Sequence, residues 1–329
     1  MNNFSSNLFF SIILINYNSS AILYQCLEHL WEQTYKNFEL IIIDNGSKDP
    51  PSPSLLERWP NLQIRIEYLK ENKGFAFANN YGARLAKGEW IATLNPDAFP
   101  EPNWLEQLVQ ATSQYPNAFF ASRQLQAQFP HLLDGEGDTY HVSGLAWRRN
   151  YGAPVMPKNQ PEEVFSACAA AALYPRKTFL EVGGFDESYF AYHEDIDLGF
   201  RLRLRGLKCY HIPQAVVHHI GSASTGKSSP FAIYHGHRNL VWTFFKNMPP
   251  PLFMIYLPLH LLLNFYSLFY FTKKGHRNTI IKAKKDALRG LRIILEKRKI
   301  IQRERIASTW EIYELMDKGL FSPITKKIS

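Results

Sequence analysis

Strand-like and helix-like patterns alternate four times in the first stretch of about 120 residues, and that order leaves few folds open. Phe9–Ile15 is apolar and β-branched, the pattern of a buried strand. Ser19-Ser20 then offers an N-cap for a helix reaching about Gln33. Phe38–Ile43 is a second buried strand, and Pro50, Pro51 and Pro53 mark a loop before a short helix at Ser54–Trp59. Gln63–Leu69 alternates as a third strand, followed by a helix over Phe75–Ala86 and a fourth strand at Trp90–Leu94. Pro102–Gln114 is again helical and Ala118–Ser122 again a strand. Such a succession predicts a parallel α/β sheet covered on both faces. In sheets of that kind ligands bind beyond the carboxyl ends of the strands. The polar clusters fall there: Asn16–Asn18, Asp44–Ser47, Glu71–Gly74 and Asn95–Asp97.

Single residues carry chemistry with different weight. Asp97, in Thr93-Leu94-Asn95-Pro96-Asp97-Ala98, is placed to hold a divalent cation against a diphosphate, because hard cations take oxygen ligands and leave positions for phosphate. An Asn-Pro-Asp turn explains the same residues structurally. Asp44, just past a buried strand, is placed to accept a hydrogen bond from a base or a ribose hydroxyl, or to make an Asx-turn. His218 and His219 are adjacent on a strand, so at most one of them faces a site. Gly183–Gly206 places Glu194, Asp195 and Asp197 in the first turn of a helix, behind Phe185, Tyr189, Phe190 and Tyr192. A carboxylate at a helix mouth walled by aromatics suits a general base, whereas acids there also simply complement the helix dipole.

The charge of the chain is concentrated. The net charge is +8, and between Lys273 and Arg305 thirteen Lys or Arg face three Asp or Glu, so the remainder is close to neutral. A basic arm of this kind suits an anionic membrane surface. It has no aromatic residue between Gly275 and Arg305 for bases to stack on, which argues against nucleic acid. Leu252–Phe271 is twenty residues long, with His260 and Asn264 its only strongly polar side chains, and an interfacial or re-entrant helix pair is the expectation there. The three cysteines, Cys26, Cys168 and Cys209, are odd in number and scattered, as in a reducing compartment. Leu8–Ile15 has no positive residue before it and is not expected to be a secretory signal. Residues 125–165 show few apolar runs and are expected to form a lid or an acceptor-side loop. Gly221–Ser228 matches the phosphate-loop pattern G-x-x-x-x-G-K-[ST]. The apolar strand ending in a metal-binding Asp that such a loop requires does not follow, since residues 231–329 read as helical or membrane-like.

Together the segments SIILINYN (11–18), IIIDNGSKD (41–49), ENKGFAFANNYG (71–82), TLNPDA (93–98), GGFDESYFAYHEDIDLGFRLRLRG (183–206), AVVHHIGSAST (215–225) and YHGHRN (234–239) carry a resemblance. The chain resembles the family 2 inverting glycosyltransferases, in their rhamnosyltransferase-like branch. The resemblance implies a GT-A, Rossmann-like mixed sheet flanked by helices, with a C-terminal helical region that associates with membrane. It implies a catalytic domain over 1–245, with a nucleotide-sugar half (1–122) and an acceptor half (123–245), and a basic membrane-associated region over 246–329. Asn16, Asp44, Asn72 and Gly74 are then expected to hold the nucleotide-sugar. Asp97 occupies the place of the metal-binding D-x-D motif, Asn95 standing in for its first carboxylate, and His219 completes the shell around Mg²⁺ or Mn²⁺. Asp195 is the expected base, with Glu194 its neighbour, and Arg238 is expected to contact diphosphate or acceptor. The implied partners are a donor such as dTDP-rhamnose or a UDP-sugar, a glycan or polyprenyl-linked acceptor, and the anionic cytoplasmic face of the cell membrane, where the protein is peripheral or monotopic. The Q-x-x-R-W signature of processive synthases is absent, so one sugar per encounter is expected. The alternatives are a phosphate-loop hydrolase or kinase using Gly221–Ser228 and a non-catalytic membrane-binding protein.

Overall fold

The computed structural model describes residues 8–221, 229–319 and 322, except for the side chains of residues 55 and 56. Its first half reproduces the alternation. β1 (Phe10–Asn16), α1 (Ser20–Trp31), β2 (Phe38–Asp44), α2 (Leu55–Arg58), β3 (Gln63–Tyr68), α3 (Phe75–Leu85) and β4 (Trp90–Leu94) follow one another close to the expected bounds. β1 pairs in parallel with both β2 and β4, and β2 pairs in parallel with β3. β5 (Ala98–Pro100), α4 (Trp104–Gln114) and β6 (Ala118–Gln126) come next.

Residues 125–165 are not one irregular loop. They form β7 (Phe129–Gly135), β8 (Asp138–Tyr140), β9 (Ala146–Arg148) and β10 (Glu162–Glu163). These strands are too short, and too rich in charge, to show period-two alternation in sequence. β11 (Ala171–Pro175) leads into α5 (Arg176–Glu181), then α6 (Glu194–Leu204) and β12 (Lys208–His219). β11 inserts antiparallel between β4 and β6, so the sheet is mixed rather than parallel, in the order β10-β12-β6-β11-β4-β1-β2-β3. β12 runs parallel to β6. The carboxyl ends of β1, β2, β4, β6 and β12 therefore share one edge with the start of β11.

Alternate residues of each strand serve opposite faces. Ile12, Leu14, Leu40 and Ile42 pack with α1 and α4 on one side. Ile13, Ile41 and Ile43 pack with α3, α5 and α6 on the other. The chain ends in α7 (Pro230–Asn247), α8 (Pro250–Lys273), α9 (Arg277–Arg303) and α10 (Thr309–Leu315). α8 is a single continuous helix, not the expected pair. Pro258 inside it removes one N–H. The carbonyl that loses its donor belongs to Met254, which is 70% exposed. One face of α8 packs inward through Leu252, His260 and Ser267, while Ile255, Leu262, Phe265 and Phe269 stay exposed. A further core joins Tyr140, Phe165, Ile196 and Phe200 to Leu252, Ala307, Ile312 and Met316, so the C-terminal helices close over α6.

Candidate active site

The expected nucleotide pocket is built from strand-end amides. Asn16 and Asp44 are register partners on β1 and β2. Asn16 Nδ2 donates to Asp44 Oδ1 at 2.8 Å and to Ser47 Oγ at 3.2 Å, and Ser47 N donates to Asp44 Oδ2 at 3.1 Å. Asn45, whose role the sequence did not reveal, donates to Asn72 Oδ1 at 3.0 Å and accepts from Lys73 N at 2.9 Å. Asn72 Oδ1 also accepts from Gly74 N at 2.9 Å. Gly74 has φ +89°, and a Cβ there would stand 2.7 Å from the Phe190 ring and carbonyl. That closeness matters, because the Phe190 carbonyl accepts from Phe75 N at 2.7 Å and caps α3.

Asp97 follows β4, and β5 pairs antiparallel with the end of β12, setting His219 opposite Ala98. His219 Nε2 lies 3.4 Å from Asp97 Oδ1. Its Nδ1 is bonded at 2.7 Å to Asp134 Oδ2, which also pairs with Arg148. His218 points the other way, to Glu101 at 3.3 Å, so His219 is the histidine that faces the strand ends. Burial raises the Asp97 carboxyl, but the hydrogen bond and charge of His219, with Arg148, bring it net below the ordinary carboxylate range. Burial works against His219 protonation, and the bonds to Asp134 and Asp97 overcome it, raising its pKa. A carboxylate that orients the far nitrogen of an imidazole leaves the near one free to ligate, the usual support for a metal-binding histidine. Among the described residues no three His, Cys, Asp or Glu side chains converge on one point, so Asp97 and His219 are the pair of such side chains at this place.

Asp195 lies in the first turn of α6 and is half-buried. Its Oδ1 accepts from Ile196 N at 2.8 Å and its Oδ2 from Ala169 N at 3.2 Å. The turn that holds it is joined to the Asp97 strand end, since Asn95 N donates to the Ala170 carbonyl at 2.9 Å. Arg148 acts on both carboxylates. Positions 97 and 195 thus converge on one edge of the sheet. Burial raises Asp195 while the two N–H donors and Arg148 hold it down, leaving it above the ordinary value. Glu194 is 6% exposed, its Oε2 has no hydrogen-bond partner, and burial beside the Asp195 charge pushes it far higher. Of the two acids, Glu194 is the one pushed further up, and Asp195 is the one tethered by two N–H donors with lone pairs to spare.

Arg238 is not brought to the Asp97 group. Its guanidinium donates to the carbonyls of Ser188 (3.0 Å) and Tyr189 (2.8 Å) and lies over Trp242, holding the aromatic loop in place. Asn239 Nδ2 reinforces it, donating to the carbonyls of Tyr189, Ala191 and Tyr192. Asp134 and Arg148 were missed in sequence. Their one signal is Asp134-Gly-Glu-Gly-Asp138, three acids at alternate positions. Most of the phosphate-loop match, residues 222–228, lies outside the described residues. A cavity of about 350 Å³ lies elsewhere, against Gly184, Asp186, Lys246 and Lys297.

The family model described as glycosyl transferase family 2 matches residues 11–183. The chain is 29% identical over 251 residues to the N-acetylglucosaminyl-diphospho-decaprenol L-rhamnosyltransferase of Mycobacterium tuberculosis, covering 68% of this chain and 80% of that one. It is 26% identical over 310 residues to the amylovoran biosynthesis glycosyltransferase AmsB of Erwinia amylovora, covering 85% and 96%. Among solved structures it is similar to the mannosyltransferase PcManGT from Pyrobaculum calidifontis in complex with GDP-Man and Mn²⁺, with TM-score 0.54, 17% identity and coverage of 91% and 86%. Residues 1–349 of S. aureus TarS give TM-score 0.56 at 14% identity, covering 90% of each chain. The strand-end pocket, the 97–195 edge and these matches have one explanation: the chain belongs to glycosyl transferase family 2 and is a glycosyltransferase of GT-A fold.

Proposed function

We propose that this enzyme moves rhamnose or a similar sugar from a nucleoside-diphosphate donor to a lipid-linked or cell-surface glycan acceptor, one residue per encounter, with inversion. The observation that carries the reading is the Asp195 carboxylate. It is half-buried, tethered by two backbone N–H groups and raised above the ordinary carboxylate range at the strand edge that holds Asp97. Asp195 takes the proton of the acceptor hydroxyl as that oxygen attacks the anomeric carbon. Glu194, kept neutral, avoids a second negative charge beside the attacking oxygen. Asn16, Asp44, Asn72 and Gly74 hold the nucleotide of a dTDP- or UDP-sugar, and Arg238 keeps the aromatic wall closed around the donor.

Asp97 and His219 would hold a divalent cation, Mg²⁺ or Mn²⁺. The fit is supported by Asp134, which engages His219 Nδ1 and turns Nε2 toward Asp97. Two protein ligands leave positions for diphosphate oxygens, and the ion supplies charge to offset what grows on the leaving group. The acceptor reading is supported by the mycobacterial relative, whose name specifies a diphospho-decaprenol substrate. It is also supported by the apolar, half-exposed α8 beside the basic α9. α8 carries His260, Asn264 and Ser267 on its packed side, which favours lying in the interface of the cytoplasmic face over crossing it.

The test is transfer of labelled sugar to a polyprenyl-linked acceptor by the full chain. Asp195→Asn is expected to cut turnover by about 10²- to 10⁴-fold, with donor binding by calorimetry unchanged. Full activity in that variant would remove the assigned base. The phosphate-loop reading has no support from the family match.

A further inference from the structure

Where α6, α7, α8 and α9 meet, a lysine and three imidazoles gather, and no carboxylate among the described residues pairs with the lysine. Lys284 of α9 donates to the His237 carbonyl at 3.1 Å and to Asn264 Oδ1 at 2.6 Å. Its third N–H has no partner among the described residues, and no carboxylate pairs with it. Burial alone accounts for its lowered pKa of about 7. The charge of Lys284 is felt at three imidazoles, those of His193, His237 and His260. Each ring has a buried nitrogen with no hydrogen-bond partner: Nδ1 of His193, Nδ1 of His237 and Nε2 of His260. His260 is 0% exposed, and its other nitrogen is spent on the Ser143 carbonyl at 2.8 Å. His193 and His237 are half-buried, so the cluster is not sealed.

An unpaired buried polar group is destabilising, and a helix junction needs none of them. Leucine and alanine would fill the space. His260 stands apart, since its Nδ1 donates to the Ser143 carbonyl and its Nε2 is then an acceptor. What Lys284, His193 and His237 lack is an acceptor with several oxygens and negative charge. The nearby acids do not supply one. Asp197, which acts on His193, is already paired with Arg201 and Lys246, and no bond or ion pair joins Glu194 to Lys284 among the described residues. The place is informative as well. His193 is the residue before α6, whose N-terminus adds partial positive charge and bears Asp195 in its first turn. On its other side lies α8, with its exposed apolar face.

We propose that His193, His237 and Lys284 bind the diphosphate of a lipid-linked acceptor, with the lipid along α8 and the sugar hydroxyl toward Asp195. This deepens the reading of the acceptor given above and rests on it for the acceptor's identity. A phospholipid headgroup presents similar oxygens, but with one phosphate instead of two.

The test is calorimetry on the full chain in detergent with excess EDTA, so that no cation draws the probe to Asp97. Inorganic pyrophosphate and farnesyl diphosphate are titrated separately. Both are expected to bind, and Lys284→Gln to weaken both by about tenfold or more, the loss of one charge-assisted contact. His237→Gln is expected to weaken both as well, and supplies the answer should Lys284→Gln fail to fold. Asp97→Asn is expected to change neither. Unaltered binding in folded Lys284→Gln and His237→Gln overturns the proposal, as does binding lost in Asp97→Asn. Phosphatidylglycerol micelles that displace farnesyl diphosphate as well as pyrophosphate does would make the site a phospholipid site and overturn the acceptor assignment. No sugar moves in this assay, so its failure and failure of Asp195 as base are separately visible.

Discussion

Two residues that the sequence left silent, Asp134 and Arg148, set the working state of two that it marked. Arg148 holds the Asp195 pKa down against burial, yet the net shift is upward. The base must be ionised to act, so kcat/KM is expected to rise with pH through a value above the ordinary Asp pKa of about 3.9. Arg148→Gln is expected to move that acid limb to still higher pH in a profile measured at saturating cation. Asp134→Ala removes the acceptor at His219 Nδ1 and is expected to weaken Mn²⁺ binding by about 10- to 100-fold, followed by electron paramagnetic resonance. Asp44, Asp97 and Asp195 were legible because each ends an apolar run or opens a helix, where position alone suggests a role. Asp134 and Arg148 sit on short strands whose partners are chosen by tertiary register, and the alternating acids at 134–138 are the one local pattern near them. The unpaired imidazoles were hidden for the same reason. Only packing shows that a nitrogen has no partner.

Among the elements, the segment from Asp186 to α6 depends on one buried cation. Lys246 of α7 lies 2.6 Å from Asp186 and 2.7 Å from Asp197, with Arg201 also on Asp197 and Lys297 on Asp186. Burial opposes ionisation of both acids, and these cations outweigh it, so both carboxyls are held below the ordinary range. Their folded pKa values are depressed, so their contribution to stability is whole above the unfolded value of about 3.9 and is lost as pH falls below it. Lys246→Met takes one of two cations from each carboxylate, leaving Arg201 on Asp197 and Lys297 on Asp186, and is expected to cost about 1–3 kcal/mol in urea unfolding at neutral pH. The difference from wild type should narrow in acid. The strands and helices before residue 122 were legible because their apolar runs are long and their ends carry turn residues. α8 was misjudged as a pair because Pro258 looks like a break in sequence. Its packing against neighbouring helices keeps the turns joined.

On the scale of the whole molecule, α8 exposes Ile255, Leu262, Phe265 and Phe269, and the next helix, α9, exposes Lys282, Lys285, Arg289 and Arg292. Sedimentation with anionic vesicles is expected to carry the protein down, less so at high salt. Leu262→Glu with Phe265→Glu should leave most of it in the supernatant, with the circular dichroism spectrum unchanged. The division near residue 245 is proposed as one of task rather than of folding. Tyr140, Phe165, Ile196 and Phe200 are covered by Leu252, Ala307, Ile312 and Met316, so a chain ending at Asn247 is expected to aggregate. On the proposed reading, anchoring and catalysis are built into one another at that seam. A protease that nicked the turn between α7 and α8 would release no active soluble fragment, and the amount of sugar added in a cell would be capped by the membrane area open to the enzyme, however much of it was made.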